Sequence, residues 1–203
     1  MILGALLAAG TGSRFDGGNK LLADLDGRPV VAHAARTLAE SSLDAAVAVV
    51  GHDREAVERA LPDGFGIVAN PDYEAGQSAS VRRAVESARE RDADAVLFAL
   101  GDMPRVSVET VDSIVRAYRE LRDDPDAPGI VAPRYDGYRG NPVLFDARYF
   151  DELASVEGDT GGRALLASEP VTWVSVPDPG IHRDVDTVGD LRALQSDSTS
   201  DRG

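Results

Sequence analysis

The sequence contains no cysteine, a single lysine and few aromatic residues, which make up 5% of its 203 positions. The absence of cysteine excludes disulfide bonds, thiolate zinc sites and thiol nucleophiles. The sequence also lacks a long apolar run. Residues 1–10 are apolar, but they have no basic flank and are too short to span a bilayer. We therefore expect a cytoplasmic protein with no membrane partner. Its hydrophobic fraction of 43% is sufficient for a buried core.

Basic charge is scarce as well. The 35 acidic residues outnumber the 21 basic ones, which gives a net charge of −14 at pH 7. So acidic a surface repels phosphate backbones, and the arginines are dispersed, so nucleic acid is not an expected partner. An acid-rich, lysine-poor composition also leads to the hypothesis of a salt-loving (halophilic) host, because high salt screens repulsion between surface charges. Because all the other basic residues are arginines, the single lysine, Lys20, is a candidate functional residue.

Apolar runs of strand length alternate with segments of helical period. The predicted strands cover 3–8, 45–50, 66–69, 95–100 and 171–176, and the predicted helices cover 30–39, 54–61, 78–89, 108–121, 147–154, 162–168 and 188–195. This alternation predicts an α/β fold with a mostly parallel sheet, covered by helices, that binds ligands at the carboxyl ends of its strands. Residues 130–133 and 141–145 predict a hairpin-like insertion. We expect one domain over 1–195 and a flexible tail over 196–203.

The most informative motif follows the first strand and runs from Leu7 to Lys20, with the sequence LAAGTGSRFDGGNK. Its small residues let backbone N–H groups approach an anion, and Arg14 and Lys20 add positive charge, which together favour a triphosphate site over a plain turn. It is not a P-loop, because Asn19 precedes Lys20. It is not a dinucleotide fingerprint either, because Phe15 stands where a third glycine is needed.

A second motif, Gly-Asp-Met-Pro at 101–104, ends the apolar strand over 95–100. Mg²⁺ is commonly held by one or two carboxylates together with phosphate oxygens, so Asp102 is a candidate metal ligand. The alternative is that Asp102 caps a turn or the next helix.

Two further segments leave structural and functional alternatives open. In the polar loop over 70–80, Ser78 or Ser80 is either a helix N-cap or a contact to the base or phosphate of a nucleotide. Near the C-terminus, Asp184 and Asp186 share one face of an extended segment, and either could complete a metal site. Thr187 also fits a capping box at the start of the last helix.

Taken together, these motifs resemble the molybdenum cofactor nucleotidyltransferases, a family of MobA-like NTP transferases, and in particular their cytidylyltransferase (MocA-like) branch. The resemblance spans nearly the whole chain and is carried by the segments 7–10, 101–104, 139–143, 158–161 and 184–187, with Arg14 and Lys20. It implies a three-layer Rossmann-like fold that binds an NTP with Mg²⁺ and transfers the NMP to a molybdopterin-type acceptor. CTP is favoured over GTP because Ala8 is followed by a second alanine rather than by glycine.

The same resemblance implies roles for individual residues. Lys20 and Arg14 would contact the phosphates, and Asp102, with Asp186 as a further candidate, would hold the metal. The implied nucleotide-binding residues are Leu7, Ala8, Ala9, Gly10, Thr11, Gly12, Ser13, Lys20, Asn70 and Ser78. A molybdoenzyme or its chaperone is the implied protein partner. Asn141 departs from the branch, whose members often carry histidine at that position.

The expected reaction is in-line attack of an acceptor phosphate oxygen on the α-phosphorus of the NTP, with release of pyrophosphate. Three alternatives remain open. These are a guanylyltransferase, a nucleotidyltransferase for a sugar phosphate, isoprenoid precursor or other cofactor, and a protein that binds a nucleotide or pterin without turnover.

Overall fold

The structure, a computed structural model, describes residues 1–12, 15–16, 18–124, 126–155 and 162–200, with the backbone alone for 198–200. It is an α/β protein built around a mostly parallel sheet, as the alternation of apolar segments predicts. The strands are β1 (Ile2–Ala8), β2 (Asp24–Leu25), β3 (Arg28–Pro29), β4 (Ala45–Val50), β5 (Gly66–Ala69), β6 (Ala95–Leu100), β7 (Ile130–Tyr135), β8 (Tyr138–Arg139), β9 (Val143–Asp146) and β10 (Val171–Ser175).

The central sheet has the strand order β10-β7-β9-β6-β1-β4-β5, and β8 adds to β7. Strand β1 lies in the middle and pairs in parallel with β4 on one side and β6 on the other. The carboxyl ends of β1 and β6 therefore meet at one edge of the sheet, where the loops that follow Ala8 and Leu100 begin. This edge is where an open α/β sheet binds its ligands.

Helices cover both faces of the sheet. They are α1 (Val30–Glu40), α2 (Arg54–Ala60), α3 (Gln77–Glu90), α4 (Val108–Leu121), α5 (Phe150–Ser155), α6 (Arg163–Ser168) and α7 (Val188–Ser200). Because successive strand residues point to opposite faces, Leu6 packs under α1, α2 and α4, whereas Ala5 packs under α3, α5 and α6. Both apolar layers are buried, which explains why the strands are almost continuously apolar.

The predicted hairpin-like insertion is an antiparallel strand within the sheet. Strand β9 lies between β6 and β7 and runs antiparallel to both. The short strand β8, which pairs antiparallel with β7 after a tight turn, precedes β9. Because β9 runs antiparallel to β6, it begins near the carboxyl end of β6. The loop before β9, which contains Asn141, therefore reaches the same edge as the cleft described below.

Most predicted elements agree with the structure to within two residues. The last helix differs, because α7 continues to Ser200 rather than ending at residue 195, and 201–203 lie outside the described residues. The small hairpin of β2 and β3 has no long apolar run and was not predicted. Within the described part of the chain, no helix is long and apolar enough to cross a membrane.

Candidate functional site

A cleft of about 630 Å³ opens at the carboxyl ends of β1 and β6. This volume lies within the range of small-molecule sites. The residues that line it are Leu7, Ala9, Gly10, Thr11, Gly12, Lys20, Leu21, Tyr73, Glu74, Gly76, Gln77, Ser80, Leu100, Asp102, Arg163 and Asp186. The glycine-rich loop and the carboxylate after β6, which are far apart in sequence, thus face one space.

Lys20 enters the cleft from a short 3-10 helix, Lys20–Leu22. The side-chain oxygen of Asn19 caps this helix by accepting a hydrogen bond from the backbone N–H of Leu21 at 3.0 Å. The preceding loop lies close to the lysine stem at Gly12, where φ is +59° and an added Cβ would stand 3.2 Å from Cγ of Lys20. Glycine at this position therefore allows both the left-handed turn and the close approach of the lysine.

The ammonium of Lys20 joins two carboxylates. It donates to Oδ2 of Asp102 at 2.6 Å and to Oδ1 of Asp186 at 2.7 Å. A backbone hydrogen bond from Val185 N–H to the carbonyl of Asp102, at 2.9 Å, brings the C-terminal segment alongside the loop after β6. This bond places Asp186 in the cleft, whereas Asp184 is exposed and does not line it.

The predicted capping box at Thr187 is present too. Asp190 accepts from the N–H of Thr187 at 2.7 Å, and Thr187 Oγ1 accepts from the N–H of Asp190 at 3.2 Å. The hydrogen bonds that the Asp190 carboxylate accepts from the hydroxyl and from the N–H of Thr187 lower the pKa of Asp190. They also fix the start of α7 directly after Asp186.

Electrostatics within the cluster favour a charged lysine. Burial by itself lowers the pKa of Lys20, but the charges of Asp102 and Asp186 and the hydrogen bonds to them outweigh burial and raise the pKa above its ordinary value. Burial raises the pKa of Asp102, and the nearby charge of Asp184 raises it further, although Lys20 opposes both effects. Additional positive charge beside Asp102 would therefore stabilise its ionised form.

The residues present fit a divalent cation supplied together with a phosphate ligand. Among the described residues, Oδ1 of Asp102 is buried and has no hydrogen-bond partner. The described lining carries the acids Glu74, Asp102 and Asp186 against the cations Lys20 and Arg163, so it does not by itself neutralise a triphosphate. No group of three or more His, Cys, Asp or Glu side chains in the described ranges could hold a metal alone. One or two carboxylates completed by phosphate oxygens is the arrangement that Mg²⁺ commonly takes.

The structure places some of the predicted nucleotide contacts in the cleft and others outside it. Leu7, Ala9, Gly10, Thr11, Gly12 and Lys20 line the cleft, whereas the side chain of Ala8 is buried in the core. Ser13 and Arg14 lie outside the described residues, as do 158–161 of the later glycine-rich motif.

Of the residues predicted in the polar loop, Ser80 reaches the cleft, whereas Asn70 and Ser78 do not. Asn70 is buried behind the lining, where its amide donates to Oγ of Ser80 at 3.0 Å and its carbonyl oxygen accepts from the N–H of Asp72 at 3.1 Å. Ser78 is also buried and does not line the cleft, whereas Ser80 does. Neither serine is the N-cap, because α3 begins after Gly76 without a side-chain cap.

Several lining residues were not singled out from the sequence. Tyr73, Glu74 and Gln77 belong to the polar loop that was recognised, and Arg163 follows the recognised glycine-rich motif. Their position after a strand or a glycine cluster was the available signal. Which of them faces the ligand depends on the 3-10 turn Tyr73–Ala75 and on the start of α3, which no periodicity indicates.

A smaller recess of about 80 Å³ adjoins the cleft and shares Leu7, Gln77, Leu100 and Arg163 with it. Its lining includes the rings of Phe98 and Phe145, which pack edge to face with centroids 5.8 Å apart. Its polar side chains are the amides of Gln77 and Asn141 and the guanidinium of Arg163.

Comparison with known proteins agrees with this architecture. Residues 4–173 match the MobA-like NTP transferase domain. The chain belongs to this family.

Among relatives of this MobA-like protein, nicotine blue oxidoreductase from Paenarthrobacter nicotinovorans is 34% identical over 198 residues, covering 95% of this chain and 96% of the relative. The crystal structure of Rv0371c from Mycobacterium tuberculosis superposes with a TM-score of 0.80 at 31% identity, covering 96% and 97% of the two chains. A manganese complex of Rv0371c has a TM-score of 0.77 at 29% identity, covering 96% and 98%. The Rossmann-like nucleotidyltransferase fold is therefore shared over almost the entire chain.

Proposed function

We propose that this MobA-like protein transfers an NMP, with CMP preferred, from an NTP to the phosphate of a molybdopterin-type acceptor and releases pyrophosphate. The observation that carries the proposal is the arrangement of Lys20 between Asp102 and Asp186 in a cleft walled by the glycine-rich loop. A connecting turn has no need of a cation held by two carboxylates at the ligand-binding edge of a sheet. A triphosphate site needs both a cation and metal ligands.

Asp102 and Asp186 are the residues that would hold Mg²⁺. Support comes from the unpartnered Oδ1 of Asp102 and from the manganese complex of the similar Rv0371c. When bound, the metal supplies positive charge that neutralises the phosphates. Lys20 then has the role of donating its three N–H groups to phosphate oxygens as well as to the carboxylates.

The chain needs no side-chain base for this reaction. A phosphate monoester has a second pKa of about 6, so the acceptor is largely dianionic at pH 7. One of its oxygens forms the new bond to the α-phosphorus, while the bond from that phosphorus to the bridging oxygen breaks and the electron pair leaves with pyrophosphate. The backbone N–H groups of residues 9–12 and the cation of Lys20 orient the phosphates, so catalysis depends on positioning and charge. Arg14 is proposed as a second phosphate contact.

The recess suits an acceptor with a ring system and a phosphate, because Phe98, Phe145 and Arg163 are among the residues that line it. CTP is preferred in the proposal because Ala8, Ala9 and Gly10 follow the cytidylyl pattern, and GTP is the next candidate. A molybdoenzyme or its chaperone would receive the product.

A second candidate function is an oxidoreductase, because a relative that aligns with 95% of this chain carries that activity in its name. A third is nucleotide or pterin binding without turnover. The first two break different bonds and the third breaks none, so product detection separates them.

The deciding experiment measures pyrophosphate release with Mg²⁺ and each of CTP, GTP, ATP and UTP in molar KCl, with and without molybdopterin cofactor. We expect release that needs both CTP and the pterin and that is lost in Lys20→Met. Arg36→Met is the control, because Arg36 is an exposed cation on α1 that pairs only with Glu40 among the contacts described. A parallel assay follows NADH and NADPH oxidation with nicotine blue as acceptor. Saturable NTP binding without any pyrophosphate release would refute the transferase, and reduced-nucleotide oxidation would establish the second candidate instead.

A further inference from the structure

The family match ends at residue 173, yet the chain beyond it contributes to the cleft. Asp186 belongs to this C-terminal segment and binds Lys20. The helix that follows, α7, packs against the region of the glycine-rich loop. A small hydrophobic cluster, separate from the two layers that cover the sheet, consists of Phe15, Leu25, Val30, Val185, Leu191 and Leu194. We call it the loop–helix cluster.

Phe15 is the apolar anchor of the glycine-rich loop. It is only 7% exposed, although its neighbour Asp16 is exposed and the loop around it is rich in glycine. Its backbone N–H donates to the carbonyl of Gly12 at 2.8 Å, which links the buried residue directly to the last of the cleft-lining residues 9–12. This position is the one at which a dinucleotide fingerprint would have glycine, and here a large side chain occupies it instead.

Helix α7, which supplies Leu191 and Leu194 to the loop–helix cluster, is held in place by hydrogen bonds from Arg105 and Gln195. The guanidinium of Arg105 donates to the carbonyl of Leu194 at 3.1 Å and to Asp26 at 2.7 Å. The side chain of Gln195 donates to the carbonyl of Asp24 at 3.1 Å. Helix α7 is therefore tied to the β2–β3 hairpin, and its apolar residues lie at a fixed place beside the loop.

We propose that Phe15 and Leu194 are positioning residues for the NTP, so that helix α7, outside the matched family domain, holds the glycine-rich loop in its phosphate-binding shape. The inference rests on the proposed function, because it concerns the same NTP site. Neither side chain lines the cleft. Both act through the backbone of residues 9–12, whose N–H groups must converge on one anion.

Loss of the anchor has a specific expected signature. Without the Phe15 ring, the loop must be ordered again when the NTP binds, and ordering about one residue corresponds to about a tenfold loss of affinity. We expect Phe15→Ala to raise the KM for the NTP about tenfold with kcat reduced less than about twofold, because Lys20 and Asp102 are held by Asn19 and β6. Leu194→Ala should raise the same KM several-fold, and Phe15→Leu should restore most of the affinity.

The test combines binding and kinetics on the full chain. Affinity for MgCTP and MgGTP is measured by titration calorimetry, and the KM for each substrate by pyrophosphate release, for Phe15→Ala, Phe15→Leu, Leu194→Ala and the double alanine variant. Because the two side chains share one cluster, the double variant should lose less affinity than the two single variants combined. Leu153→Ala is the matched control, since Leu153 is fully buried in the apolar layer under α3, α5 and α6 and lies outside the loop–helix cluster.

The outcomes separate the inference from the function on which it rests. If the parent protein binds neither nucleotide, the proposed function fails. If the parent binds and Phe15→Ala and Leu194→Ala bind equally well while melting earlier, the role is structural and the inference is overturned. A rise in NTP KM in Leu153→Ala as large as in Leu194→Ala would overturn it as well, because general destabilisation would then explain the effect.

Discussion

Replacing Lys20 by methionine leaves two neighbouring carboxylates without their shared cation. The side chains of Lys20, Asp102 and Asp186 are 13%, 20% and 27% exposed. Breaking a fully buried ion pair costs about 3–5 kcal/mol, whereas an exposed pair contributes about 0–1 kcal/mol. This partly buried triad lies between the two, so we expect the free energy of unfolding at pH 7.5 to fall by about 2 kcal/mol. For a chain of this size, the melting temperature should fall by about 6 °C.

The destabilisation of Lys20→Met should depend on pH with a definite sign. In the parent, the raised pKa of Lys20 means that its stabilisation is present below the unfolded value of 10.5 and is lost only as the pH rises through the higher folded value. In the variant, Asp102 loses the charge and hydrogen bond that hold its pKa down, so its already raised pKa rises further. A carboxyl group with a raised pKa costs stability as the pH rises from its unfolded value of 3.8 to its folded value and costs no more above it, and that upper limit is higher in the variant than in the parent. The stability deficit should therefore be largest near pH 8 and shrink towards acid pH, where Asp102 is protonated.

Urea denaturation at pH 5, 6.5 and 8 measures this deficit directly. Arg36→Met is the control, because its ion pair with Glu40 is exposed and should contribute less than about 1 kcal/mol at every pH. A Lys20→Met variant as stable as the parent at pH 8 would refute the ion-triad reasoning. So would a deficit that does not change with pH, because it would mean that Asp102 does not titrate in response to Lys20.

Four further outcomes follow from the structure and the composition. Asp102→Ala should stay folded but lose its dependence of activity on Mg²⁺ concentration, and an unchanged metal titration would remove Asp102 from the proposed metal site. Lys20→Arg should lose turnover far more than stability, since a planar guanidinium does not replace a compact ammonium at this position; a variant as active as the parent would contradict that role. Gly180→Ala should lower the free energy of unfolding by about 3 kcal/mol, because the added Cβ would stand 2.0 Å from the carbonyl oxygen of Arg105, and a normal urea midpoint would show that the backbone there yields. With a net charge of −14, the protein should melt at a higher temperature in molar KCl than in dilute buffer, and an unchanged melting temperature would count against the halophilic hypothesis.

The sequence was sufficient for the elements whose stability comes from burial along one regular element. Strands β1, β4 and β6 are continuously apolar because both of their faces are covered, and the period of α4 was visible from Val108 to Leu121. Elements stabilised by contacts from elsewhere were not visible. The β2–β3 hairpin depends on α7 and on Arg105, and α7 itself has a weakly amphipathic sequence whose end could not be placed.

The sequence by itself therefore determined the α/β class, the glycine-rich loop after β1 and the candidate status of Lys20 and Asp102, because each of these depends on neighbours in the chain. Only the tertiary structure decided that Asp186 rather than Asp184 meets Lys20, and that Asn70 supports Ser80 from behind the cleft. The physical reason is that these choices follow from backbone pairings between distant segments, such as Val185 with Asp102, which fix the direction of a side chain and leave no periodic trace.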